Sequence, residues 1–226
     1  MNDAGADSFA RARSYLFATM AGIALYVVLD AIAQSLPPHY SAISQAESDL
    51  AVGPYGYVMA VNFVNRGVFS LLFVYGVWKA AAGKKGFTTG LALFGFWGVG
   101  ALILSVAPTD VTGPATIHGV VHLVVATLAF LTASVGALSL SRSFSRESLL
   151  DGAAGYAETI AILAVVAFLV LLFGPAVLPR ASAKFGGLTE RVFLGLVLLW
   201  MLTISASVLR SAGLQRSPKR AGGQTA

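Results

Sequence analysis

Residues 14–35 read SYLFATMAGIALYVVLDAIAQS. An α-helix needs ~20 predominantly apolar residues to cross ~30 Å of hydrocarbon, and this run has them. Asp30 and Gln34 enter only near its end, and Pro37 and Pro38 stop it. Arg11 and Arg13 precede it, as basic residues precede a signal-peptide core. The run is too long for such a core and lacks a small-x-small cleavage pattern, so it reads as a retained first helix.

The same signature recurs at about 55–81, 87–107, 115–140, 157–178 and 188–209. It predicts an all-α transmembrane bundle of six helices over 14–210, between a short tail at 1–13 and a basic, disordered tail at 211–226. Within 36–54, the piece SAISQAESDL spaces Ile43, Ala46 and Leu50 as one helical face, which predicts a short amphipathic helix over the bundle mouth. Residues 179–187 read as a loop. Gly86 and Gly90 form a small-xxx-small pair suited to close helix contact.

Composition agrees. Of 226 residues, 57% are hydrophobic and 11% charged, against roughly 25% charged in soluble domains. Mean hydropathy is +0.78. Cysteine is absent, which excludes disulfides, thiolate metal sites and a cysteine nucleophile. The net charge of +5 would suggest nucleic acid in a soluble protein. Here the basic residues sit in short loops and tails, so membrane lipids are the expected partners and nucleic acid is not.

With the N-terminus inside, the inner loops and tails hold Arg11, Arg13, Lys79, Lys84, Lys85, Arg142, Arg146, Arg210, Arg216, Lys219 and Arg220. The outer loops hold Arg180 and Lys184. This bias predicts cytoplasmic termini.

That topology gathers the polar residues in the outward half. Asp30 lies near the outer end of helix 1. Asn62 and, one turn deeper, Arg66 lie in helix 2. His118 and His122 open helix 4, and Glu190 and Arg191 open helix 6. Asp49 and Asp110 come from the outer loops. An arginine near the bilayer centre costs at least ~2.5–3.5 kcal/mol on insertion scales, so Arg66 is expected to face the bundle and pair with Asp30 or Glu190. The readings for Arg66 are a structural ion pair, an anion contact supported by Asn62, or a gating role. Asp49, Glu190, Arg191 and Asp30 complete the candidate binding set.

His118 and His122, spaced i and i+4, project to one face. They suit acid–base work with Asp110 as orienter, or a divalent metal with Asp110, Glu47 or Asp49 as third ligand. Plain interhelix hydrogen bonding is the bland alternative. The pair lacks the glutamate of HExxH. Two histidines one turn apart cannot clamp a haem iron from opposite faces. There is neither a P-loop nor a dinucleotide-binding motif, so neither haem nor nucleotide is expected and the cofactor stays open.

The pieces HYSAISQAESDL at 39–50, NFVNRG at 62–67, PTD at 108–110, HGVVH at 118–122 and LTER at 188–191 resemble the DUF998 family, prokaryotic multi-pass membrane proteins defined as a domain of unknown function. The resemblance covers roughly residues 15–210. It implies a six-helix fold in a prokaryotic plasma membrane and transfers no activity. Three functions stay open: an outward intramembrane pocket that binds or processes a lipid headgroup or small anionic molecule, a small-solute transporter, and a structural or sensory subunit. A transporter would have neither an evident inverted repeat nor a polar inner half to provide an exit.

Overall fold

The computed structural model describes residues 3–81, 84–147 and 153–215. Its helices are α1 (Asp3–Ser35), α2 (Gly56–Ala80), α3 (Thr88–Leu104), α4 (Ile117–Glu147), α5 (Ala154–Val177) and α6 (Pro179–Gln215). A 3-10 turn, Glu47–Ala51, lies in the first long connection, and a second, Lys85–Phe87, leads into α3. Five of the helices are long and apolar enough to cross a membrane. The sixth, α3, has 17 residues and spans about 26 Å at 1.5 Å per residue.

The chain folds as three antiparallel hairpins, α1–α2, α3–α4 and α5–α6, and α1 packing on α6 closes the ring. α6 is the most buried of the membrane-length helices and touches α1, α2, α4 and α5. Its ring-bearing residues centre the core. Trp200 packs on Phe73 and Phe94 with centroids at 5.4 and 5.1 Å, and its indole N–H donates to Ser141 Oγ at 2.8 Å. Phe193 packs on Phe130 at 4.6 Å and Phe168 at 6.0 Å.

Several local expectations change. Residues 179–187 are helical, not a loop: Pro179 starts α6, where its missing N–H costs no hydrogen bond and its fixed φ suits the first turn. The Ser182 N–H closes that turn onto the Leu178 carbonyl at 2.9 Å, so α5 and α6 are joined by Leu178 alone. α1 starts at Asp3 rather than near residue 14. The amphipathic helix expected over 41–50 is reduced to the 3-10 turn, and Ile43 is exposed. Gly86 precedes α3 and a Cβ there would meet nothing. The close crossing instead joins Gly90 of α3 to Gly136 of α4, where a Cβ on Gly136 would stand 3.1 Å from the Gly90 carbonyl oxygen. Arg216, Lys219 and Arg220 of the expected basic tail lie outside the described residues.

Candidate functional site: a cavity between α2, α4, α5 and α6

The connections 36–55 and 105–116 meet at one end of the bundle, and the polar groups concentrate there. α2 carries three of them on one side. Asn62 Nδ2 donates to the Tyr26 carbonyl at 3.1 Å and Asn65 Nδ2 to the Gly22 carbonyl at 2.9 Å. These two amides, one turn apart, tie α2 to α1. Asn62 is fully buried, and its Oδ1 has no partner among the described residues.

Arg66, one turn further along α2, is 2% exposed. Its guanidinium carbon lies 4.6 Å from the Trp97 ring centroid and 4.8 Å from that of Phe63. Nε has no hydrogen-bond partner, and among the described residues Arg66 forms no ion pair. The expected pairing with Asp30 or Glu190 is therefore not formed. Asp30 is 3.7 Å from Arg191 and accepts from Gln34 at 2.5 Å. Glu190 accepts the backbone N–H of Glu47 at 2.9 Å. Each acid has a nearer partner, and π faces occupy the sides of the Arg66 guanidinium.

Arg191 holds the first connection in place. It donates to Tyr40 Oη at 2.8 Å and to the carbonyls of Ala42 and Gln45 at 3.3 Å each, and it stacks over the Tyr40 ring. Gly187 lets that connection lie directly on α6, since a Cβ there would overlap the Gln45 carbonyl. The Leu188 N–H donates to the Ile43 carbonyl at 2.9 Å.

The clamped connection inserts Glu47 into the bundle. Glu47 is 2% exposed, and Tyr26 Oη donates to its carboxylate at 2.5 and 2.6 Å. Burial, reinforced by Asp30, pushes the Glu47 carboxyl up to about 8. Burial also raises Asp49, and it raises the Tyr40 phenol despite Arg191. The sequence reading favoured Asp49 over Glu47 and missed Tyr26 and Tyr40. A signal for Glu47 existed: it follows Ile43 by four and precedes Leu50 by three, on the face expected to turn inward.

The two histidines separate. The His122 Nδ1 lies 2.7 Å from the Ala107 carbonyl oxygen, a contact that requires a proton on Nδ1 and leaves Nε2 as the acceptor of the neutral ring. His122 is buried edge-on to Phe63. His118 is exposed. Asp110 is also exposed and orients neither imidazole by hydrogen bonding. It accepts the Thr116 N–H at 2.7 Å and the Thr116 hydroxyl at 2.8 Å, and Thr116 Oγ1 accepts the Gly119 N–H at 3.1 Å. Thr116 is thus the N-cap of α4 and Asp110 braces the cap. The Thr116 N–H and hydroxyl hold the Asp110 carboxyl below its ordinary range. Among the described residues no three His, Asp or Glu side chains are grouped as a metal would need, so His118, His122 and Asp110 do not form the ligand set that their spacing suggested.

Arg66, His122, Glu47, Asp49 and Glu190 line one cavity of about 400 Å³, within the ~300–1,000 Å³ range of small-molecule sites. Ala46, Glu47 and Ser48 roof it, Phe130 and Phe168 lie deeper, and Leu123, Thr127, Leu172 and Pro175 form the α4–α5 side. Asn62, Asp30, Arg191, His118 and Asp110 are not on its wall. A family model described as "Protein of unknown function (DUF998)" matches residues 20–207. No curated protein and no solved structure matches the chain.

Proposed function

The chain belongs to the DUF998 family, as a multi-pass protein of the prokaryotic plasma membrane, and on that premise we propose that its cavity binds the anionic group of a lipid headgroup or of a small solute. One observation carries the reading: a buried guanidinium lines the cavity with no ion pair and an unpartnered Nε among the described residues. A phosphate or carboxylate supplies the charge-assisted acceptors that Arg66 lacks. Asp49, Glu190 and the His122 Nε2 accept hydrogen bonds, which suits an anion carried beside hydroxyl or ammonium groups. Asp30, Arg191 and Asn62 support the site from behind, as ties between α1, α2, α6 and the first connection.

Binding fits this geometry better than turnover. His122 could take a proton from a ligand hydroxyl through Nε2, but the Ala107 carbonyl, not Asp110, orients it, and His118 lies off the wall. The cavity opens outward in this reading, with both termini cytoplasmic, which the basic bias of the loops supports. Single cysteines placed at residues 45 and 111 should react with impermeant maleimide from outside intact cells. Reaction only after lysis overturns the orientation.

The binding test uses glycerophosphate and the purified protein in detergent. A ligand that binds only the folded state raises its stability with concentration. The parent should be stabilised and Arg66→Gln should not respond. Equal responses of the two proteins overturn the assignment.

A further inference from the structure

The cavity is lopsided, and its two halves call for different chemistry. Its polar groups sit under a roof that is tied down on three sides: Glu47 binds Tyr26 through its carboxylate and Glu190 through its N–H, and Arg191 holds the carbonyls of Ala42 and Gln45. Glu47 is itself buried and Ala46 half-buried. The α4–α5 side is different. Leu123 and Leu172 line the cavity yet are 69% and 44% exposed, so the wall ends in a sideways opening between two membrane-spanning helices. Pro175 stands at that opening. It has no N–H to close onto the Leu171 carbonyl, which loosens the last turn of α5. A soluble anion has no use for an apolar side entrance, whereas a lipid-borne anion arrives through one.

Resting on the reading of Arg66 as an anion contact, we propose that the ligand is an anionic amphiphile drawn from the surrounding leaflet through the α4–α5 opening. Its charged head meets Arg66 and one acyl chain lies against Leu123, Thr127, Leu172 and Pro175. Transfer of the chain from lipid to this groove exchanges one apolar surface for another, and its advantage is that a chain seated there holds the head at high effective concentration beside Arg66. The head contacts therefore carry the selectivity, and the opening sets which molecules arrive.

The experiment measures equilibrium competition in detergent with three probes: lysophosphatidylglycerol, glycerophosphate as the head alone, and monoacylglycerol as the chain without charge. The parent should bind lysophosphatidylglycerol most tightly. Ala126 also lines the cavity on α4, and Ala126→Trp, which fills the groove, should weaken that binding at least about tenfold, equivalent to ~1.4 kcal/mol, and leave glycerophosphate unchanged. Leu172→Trp at the exposed rim should act in the same direction and keeps the test decisive if Ala126→Trp does not fold. Unchanged lysophosphatidylglycerol binding in the folded tryptophan variants, or glycerophosphate binding as tightly as lysophosphatidylglycerol, overturns the amphiphile proposal and leaves the anion site standing. Undiminished binding of both phosphate probes by Arg66→Gln overturns the anion site as well. A parent that binds monoacylglycerol as tightly as lysophosphatidylglycerol refutes an anionic head, and a parent that binds none of the three refutes both readings.

Discussion

The Arg66 guanidinium lies over the face of Trp97, 4.6 Å from the ring centroid, and takes from that ring and from Phe63 the interactions that a buried carboxylate would otherwise supply. Cation–π contacts of this kind are worth about 0.5–2 kcal/mol each, more when desolvated. They offset part of the cost of burying the charge and leave its edge available to a ligand. Arg66→Met preserves length and apolar contact while removing the buried cation, so the variant should unfold in detergent within ~1.5 kcal/mol of the parent, while losing its response to glycerophosphate. A loss of several kcal/mol would mean that Arg66 is a structural tie.

His122 has two nitrogens with separable tasks. Asparagine reaches the position of Nδ1 and can still donate to the Ala107 carbonyl, whereas glutamine reaches that of Nε2. His122→Asn should keep the parent's stability and weaken ligand binding. His122→Gln should strand the Ala107 carbonyl and lose about 1–3 kcal/mol. Thermal unfolding with and without glycerophosphate separates the two effects, and a reversed order would place Nε2 outside the site.

Gly119 is required by its neighbour. A Cβ at 119 would overlap the Asp110 carboxylate that braces the α4 cap. Gly119→Ala should therefore destabilise the parent. In an Asp110→Ala background the obstacle is gone, and the same substitution should stabilise α4 by roughly 1 kcal/mol, the helix preference of alanine over glycine. Unfolding of the four proteins in this cycle gives the sign directly, and equal effects in both backgrounds would remove the steric link.

Glu47 couples stability to pH. Its carboxyl is pushed from an ordinary 4.5 to about 8, first by burial, so the folded state holds a proton that the unfolded chain has released. The contribution is fully present below the ordinary value, is lost as the pH rises toward about 8, and is absent above it, with a slope of at most ~1.4 kcal/mol per pH unit. Glu47→Gln keeps a partner for Tyr26 and should flatten the profile across that window. Asp49, which burial also raises, remains, so a residual slope is expected. An undiminished slope in Glu47→Gln would place the proton elsewhere.

The helix count was legible because apolar length is a local property. Arg66 was legible as an inward-facing residue because its charge is costly in lipid. Its partner was not legible, since Asp30, Glu47, Glu190, Trp97 and Phe63 come from five different parts of the chain and only packing decides among them. Spacing alone put His118 beside His122. The cap at Thr116 draws Asp110 to the helix start and leaves His118 outside the cavity, an outcome written in the Asp110–Thr116–Gly119 contacts and not in the periodicity. Residues 179–187 read as a loop, but proline at position 179 is as compatible with a helix start as with a break. Glu47 entered only as an alternative third metal ligand, because a carboxylate in a polar connection ordinarily reads as solvated.

An anion that meets Arg66 inside the cavity lies close to Trp97, whose ring centroid is 4.6 Å from the guanidinium and which can report its arrival. With Trp78 and Trp200 replaced by phenylalanine, Trp97 is the sole tryptophan of the chain, and its emission can be followed during titration with lysophosphatidylglycerol. A saturable spectral change is expected, and it should disappear in the same protein carrying Arg66→Gln. A flat titration of the folded Trp97 reporter, or one that Arg66→Gln leaves unaltered, would contradict an anion contact at Arg66.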